Sequence, residues 1–230
     1  MKNWFKITAI LLFLFPAVGF LQAGPRTGDD VAAAVASHFH FFQNHFPRYD
    51  GSENEEKVFA YIEEKITENR LEYTVRDFSD FADGHSFSKN IEVFIPGEGE
   101  DTLLLVVPVN HPAGRDSTAS SWNLATGLGY LLYSSRMAEL EGKPPMGIRV
   151  LFAGGEFAPD SERQVGSELF LESYYPDRNV AVLYLQLQGV PDTIVLRNGE
   201  DNYFSPYWII DRLSKCLEEE DIPQILELQY

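Results

Sequence analysis

The stretch from Leu103 to Gly129 limits the chain's fold more than any other. Leu103 to Val109 run without a polar interruption and lead into a polar, Gly- and Ser-rich turn, after which a helix begins. Seven apolar residues in a row describe a strand buried on both faces, the kind found in mainly parallel sheets covered by helices. Ligands in such sheets collect beyond the carboxyl ends of the strands. Asn110, His111, Asp116 and the Ser117 to Asn123 segment therefore stand where a site belongs.

The N-terminus reads differently from the rest. Lys2 and Lys6 precede the apolar run Ile7 to Phe20, and Leu21-Gln22-Ala23 follows, the pattern of a secretory signal cleaved after Ala23. The run is short for a membrane span, so export is expected, with an uncleaved anchor as the alternative. Loss of Lys2 and Lys6 would take the formal charge from −17 to −19. An acidic surface repels phosphate backbones, which argues against nucleic-acid binding and against acidic partners. A single cysteine, Cys216, allows no internal disulfide, so the core alone must hold the fold. With 44% hydrophobic and 13% aromatic residues, the chain can close such a core as one domain over residues 24–230.

The pattern predicts a helix over Asp29 to His45, whose His38, His40 and His45 lack the i, i+4 pairing of a metal-binding helix and read as packing. Arg48 to Ser52 reads as a turn, and Ser52 with Glu55 forms a capping box for a helix to about Asn69. Strands follow at Leu71 to Phe78 and Asn90 to Ile95, with Asp80 to Lys89 as a loop between them. Beyond the central strand the pattern places a helix at Ala125 to Leu140 and strands at Ile148 to Phe152, Val180 to Leu187 and Thr193 to Leu196. Further helices fall at Gly166 to Ser173 and Tyr207 to Glu219. Alternating strands and helices predict an α/β three-layer sandwich: a mixed, mostly parallel sheet with helices on both faces.

These pieces carry a resemblance by their order. Gly51-Ser52, the amphipathic helix, Asn90 to Gly97, the strand into His111, Asn123 to Gly127, Phe152 to Glu156, Gly166-Ser167 and the strand to Gly189 together resemble the M28 family of zinc aminopeptidases, which includes glutaminyl cyclases. The resemblance covers about Asp29 to Leu196 and implies the zinc-aminopeptidase-like fold. It also implies two zinc ions held by a His, a bridging Asp, a Glu-Glu pair, a later Asp and a final His, the first Glu being the general base.

Carried over residue by residue, the first His matches His111 or narrowly misses it. The bridging Asp falls on Asn123, the Glu-Glu pair on Gly155-Glu156, and the later Asp on Gln186; no histidine follows His111. His111 and Glu156 remain as residual metal candidates, and zinc in structural or catalytic sites takes at least three protein ligands. Family members also continue past the point where this chain ends, so the apolar-alternating tail from Ile225 reads as a last strand, a truncated frame or a pairing edge.

Other chemistry is weaker. Ser117 to Ser121 is no nucleophile elbow and reads as a solvated loop, and Gly154-Gly155 lacks the Lys-Ser/Thr of a phosphate loop. Asp116 with Glu156 would make a carboxylate pair or a weak single-cation site. The leading expectation is an exported, non-catalytic binding or scaffold domain that needs no cofactor. Its partner would be a peptide or protein, held in a cleft near Asn110, His111, Asp116, Trp122, Asn123, Glu156 and Gln186. The alternatives are a metal-dependent aminopeptidase or hydrolase with a displaced or single-metal site, using zinc, and a fragment of a longer protein.

Overall fold

In the computed structural model of the protein, residues 28–79, 87–111, 117–157, 165–173, 179–185, 194–197, 199–200, 203–204, 207–219 and 224–227 are described. Two compact units emerge, one of residues 34–189 and one combining residues 1–33 with 190–230. The central apolar run becomes a strand, Thr102–Pro108, buried at every position.

That strand is β3 of a five-stranded sheet in the first unit, with β1 (Tyr73–Ser79), β2 (Phe87–Ile95), β4 (Gly147–Ala153) and β5 (Asn179–Tyr184) in the order β1-β2-β4-β3-β5. β3 pairs in parallel with β4 and β5, while β2 runs antiparallel to both β1 and β4. The mixed sheet follows the expected class. β2 begins at Phe87, inside the stretch read from sequence as a loop, because the register with β1 continues to the pair Ser79 and Phe87. β1 is an edge strand, exposed from Tyr73 to Asp77.

Strand alternation sorts the core into two layers. Leu103, Leu105 and Val107 share one face with Ile148, Val150 and Phe152 of β4 and with Ile91, Val93 and Ile95 of β2, all buried. Of helices α1 (Gly28–Asn44), α2 (Glu53–Glu68) and α3 (Ser117–Glu141), α3 lies on this layer, its Gly127 set against Val107. On α2, Val58, Phe59, Ile62 and Ile66 recur at helical spacing and are buried. On the opposite face Leu104, Val106, Leu151 and Ala153 pack with Phe170 of α4 (Val165–Ser173), and Tyr184 leans against the cluster. Helices thus lie on both faces.

α3 starts eight residues before the expected Ala125, which corrects the reading of Ser117 to Ser121 as a solvated loop. The helix is buried almost throughout, including Ser120 and Ser121. Small residues make this possible: a Cβ on Gly127 would lie 2.5 Å from a Val107 methyl, and one on Gly129 2.5 Å from a Val35 methyl. The buried Ser121 hydroxyl is satisfied within the helix, its Oγ donating to the Ser117 carbonyl at 2.8 Å.

Arg48, read from sequence as part of a turn, has no solvent exposure. Its Nε donates to the Val109 carbonyl at 2.9 Å, Nη1 donates to the Phe42 and His45 carbonyls at 2.9 and 3.2 Å, and Nη2 bonds Ser120 Oγ. Its own carbonyl accepts the His111 amide at 3.0 Å. One side chain therefore joins the C-terminal end of α1, the exit of β3 and the first turn of α3.

In the second unit, β6 (Ile194–Arg197) pairs in parallel with β9 (Gln224–Glu227), β7 (Gly199–Glu200) pairs with β8 (Tyr203–Phe204), and α5 (Tyr207–Glu219) carries Cys216. The C-terminal tail is thus a strand with a partner in its own chain. No helix among the described residues is long and apolar enough to cross a membrane.

The close approach of α4 to the β4 exit is testable. A Cβ on Gly166 would sit 2.0 Å from the Gly154 carbonyl oxygen and 2.8 Å from Asn90 Oδ1, so the backbone must give way. Gly166→Ala is expected to cost about 3 kcal/mol in urea unfolding. Gly99→Ala, where the nearest atom is 3.4 Å away, should stay within ~0.5 kcal/mol of the parent.

Candidate functional site

The site grows from the start of α2. Ser52 caps that helix, its Oγ accepting the Glu55 amide at 3.2 Å, and Glu55 turns back so that Oε2 accepts the amide of Gly51, one residue before the cap, at 2.6 Å. A capping-box Glu is ordinarily solvent-facing, but this one is buried at 2% exposure. Its Oε1 accepts Ser88 Oγ at 2.6 Å and Asn110 Nδ2 at 2.8 Å. Asn110 Nδ2 also bonds Asp50, and its Oδ1 accepts the Glu156 amide at 3.4 Å. The amide at the exit of β3 thus ties the α2 cap to the turn after β4.

Glu156 is the second buried carboxylate, 1% exposed. Oε1 accepts the Ser167 amide at 2.6 Å, and Oε2 accepts Ser167 Oγ at 3.1 Å and the Tyr184 hydroxyl at 2.5 Å. The amide lies in the first turn of α4, so the carboxylate also meets the positive end of that helix. Asn90 holds the same corner, donating to the Gly166 carbonyl at 2.8 Å and accepting the Gly154 amide at 3.2 Å.

Burial decides the protonation of both acids. It pushes Glu55 up to about 7, an effect that the bonds from Ser88, Gly51 and Asn110 oppose and the charge of Asp50 reinforces. Glu156 is raised by burial against the bonds from Tyr184 and Ser167. The Tyr184 phenol is raised by its own burial and by the Glu156 carboxylate, so it stays a donor.

The residues singled out from sequence separate into three groups. Asn110 and Glu156 meet in one hydrogen-bonded network. His111, 2% exposed, lies edge-on to Phe46 with ring centroids 4.7 Å apart. Trp122 stacks on Phe39 at 4.3 Å and is 8% exposed, and Asn123 is buried on the same helix. Asp116 and Gln186 lie outside the described residues, as does His85. His38 packs as expected, with Nδ1 2.8 Å from the Tyr61 hydroxyl.

Gly155, at the position matched to the general base, has φ +62, and a Cβ there would lie 3.0 Å from the Phe78 ring. A glutamate at this position would pay for a left-handed backbone and a crowded Cβ. Both oxygens of Glu156 are already engaged by groups of the same chain. Among the described residues no three His, Cys, Asp or Glu side chains converge to hold a metal ion.

Glu55 and Tyr184 were missed by sequence reasoning. Glu55 was read as a cap, and its burial depends on Ser88 and Asn110, far away in the chain. The sequence held only an indirect signal, a polar Asn directly after an all-apolar strand.

No sequence-family model and no curated protein matches this chain. Solved structures do. A glutaminyl cyclase from Acidobacteriales bacterium is similar with TM-score 0.63 and 15% identity over 86% of this chain and 78% of that one. A leucine aminopeptidase precursor from Bacteroides thetaiotaomicron gives TM-score 0.57 and 13% identity over 84% and 83%. A Zn-dependent exopeptidase from Parabacteroides distasonis gives 0.55 and 15% over 90% and 86%. The fold is therefore that of zinc exopeptidases and glutaminyl cyclases, as the resemblance implies.

The raised Glu55 value fixes a sign for stability. Folding favours the protonated acid, so its contribution is complete below pH 4.5 and fades as pH rises to about 7, by roughly 3 kcal/mol. Glu156 acts in the same direction. His38, lowered to about 4 by burial and the charge of Lys65, acts oppositely, its contribution fading as pH falls from 6.5. Urea unfolding at several pH values should show that Glu55→Gln removes the loss of stability between pH 5 and 7 relative to the parent; an unchanged profile would assign that loss elsewhere.

Proposed function

We propose that the chain is an exported binding domain that uses the zinc-exopeptidase fold without its hydrolytic centre. The observation that carries this reading is Gly155. Hydrolysis by a metal-bound water needs a carboxylate to take the proton. The matching position instead has a left-handed backbone with Phe78 against the missing Cβ. Asn123, a neutral amide in the place of a bridging carboxylate, supports the same reading, because two close dications need an anion between them.

Glu156 fits a structural role in this account. It clamps the start of α4 to the sheet through Ser167 and Tyr184 and, in doing so, uses the acceptor capacity a metal would need. The leader-like segment from Met1 to Ala23 supports delivery outside the cytoplasm. The acidic balance favours a peptide or protein partner that is not acidic and disfavours nucleic acid.

Two measurements on the purified protein test the proposal. Metal analysis after dialysis against zinc, cobalt or manganese is expected to find far less than one ion per chain. Neither an aminoacyl nitroanilide nor a glutaminyl peptide should turn over above the blank, and Gly155→Glu should not create turnover. Stoichiometric metal together with turnover abolished in Glu156→Ala would establish the metalloenzyme alternative instead.

A further inference from the structure

Beside the acid network, and wholly within the unit of residues 34–189, lies a cavity of about 1050 Å³. That is the size of a site for a drug-sized molecule or a few residues of peptide. Its wall combines carboxylates from α2 and β1 with aromatic rings from α2, β1 and β2.

Two of those carboxylates are uncommitted. The side chains of Glu56 and Asp77 are exposed and make no hydrogen bond or ion pair among the described residues, whereas that of Glu55 is spent on Ser88, Gly51 and Asn110. The one lining cation among the described residues, Lys89, is already neutralised. Lys89 Nζ pairs with Glu63, which stands outside the cavity wall, at 2.5 Å. The wall is left with net negative charge, so anions are disfavoured.

Aromatic surface supplies the second half of the recognition. Phe87, in the same wall as these carboxylates, is 64% exposed. Phe59, also in the wall, carries the Lys89 ammonium 5.2 Å from its ring centroid. At the margin of the cavity the chain thus already sets an ammonium between a carboxylate, Glu63, and the face of a lining ring, Phe59. A cation held in this way gains from the ring quadrupole as well as from the charge. A bare divalent metal would gain nothing from the rings and would need converging oxygens, which the described residues do not provide.

We propose that this cavity binds an organic primary ammonium attached to an apolar body, with Glu56 and Asp77 taking the charge and Phe87 the apolar part. The inference rests on the binding-domain reading and names the chemistry of its ligand. Such a group belongs equally to a free amine or to a basic residue of a peptide.

Calorimetric titration tests it with three probes: phenethylamine, its charge-reversed counterpart 3-phenylpropionate, and the blocked dipeptide acetyl-Phe-Lys-amide. The ammonium probes are expected to bind at least tenfold tighter than the carboxylate. The Glu56→Gln/Asp77→Asn double variant and Phe87→Ala should each weaken them about tenfold. Tighter binding of the dipeptide assigns a peptide source and tighter binding of phenethylamine a free amine, and either result supports the site. These residues are exposed, so unchanged cooperative melts are expected to separate lost binding from lost folding. Equal affinity for amine and carboxylate, no binding of any probe, or full affinity in the folded variants would overturn the inference. Any of those results would leave the metal and turnover measurements untouched, so the two proposals fail separately.

Discussion

The arrangement of the larger unit depends on a buried positive charge held without a carboxylate partner among the described residues. Arg48 is fully buried and its guanidinium is lowered to about 10 by that burial, yet it remains a cation at neutral pH. Backbone carbonyls compensate it. Two of them, from Phe42 and His45, close the C-terminal end of α1, where the helix dipole concentrates negative potential. The third, from Val109, fixes the chain as it leaves β3. A carboxylate would have neutralised the charge at one point. Carbonyls from separate elements neutralise it only when those elements are correctly placed, so the charge and the geometry enforce one another.

The acid network inherits that placement. Val109 is held by Arg48, and the next residue, Asn110, reaches Asp50, Glu55 and the Glu156 amide. An amide is suited to this position because it donates and accepts at once. A carboxylate would repel the two acids around it, and a histidine could not bridge three partners. The cost is that Glu55 and Glu156 are both buried, and burial raises both. Desolvation outweighs the hydrogen bonds in each case.

Much of the fold was legible because local and global signals agreed. The apolar run of β3, the capping box of α2 and the turn residues around each strand mark elements within a few residues of their observed bounds. The start of α3 was hidden because serines usually mark loops. Here Ser121 is satisfied by the helix itself and Ser120 by an arginine 72 residues earlier. The site was less legible for the same reason. Nothing local to Arg48 or Glu55 signals burial, since each owes its environment to strands far along the chain. Asn123 and Gly155 were matched to metal-site positions through the resemblance, whereas the left-handed backbone at Gly155 appears only in three dimensions.

The exposed margin of the sheet carries its own safeguard. Among the described residues β1 is the outermost strand and pairs on one side only, and its Tyr73 and Val75 are partly uncovered. Arg76 and Asp77 follow in direct succession, so the pleat sends one ionised group to each side of the ribbon. A stranger chain extending the sheet into a fibril would have to trap one of these charges whichever way it stacked, and self-association through this rim is thereby discouraged.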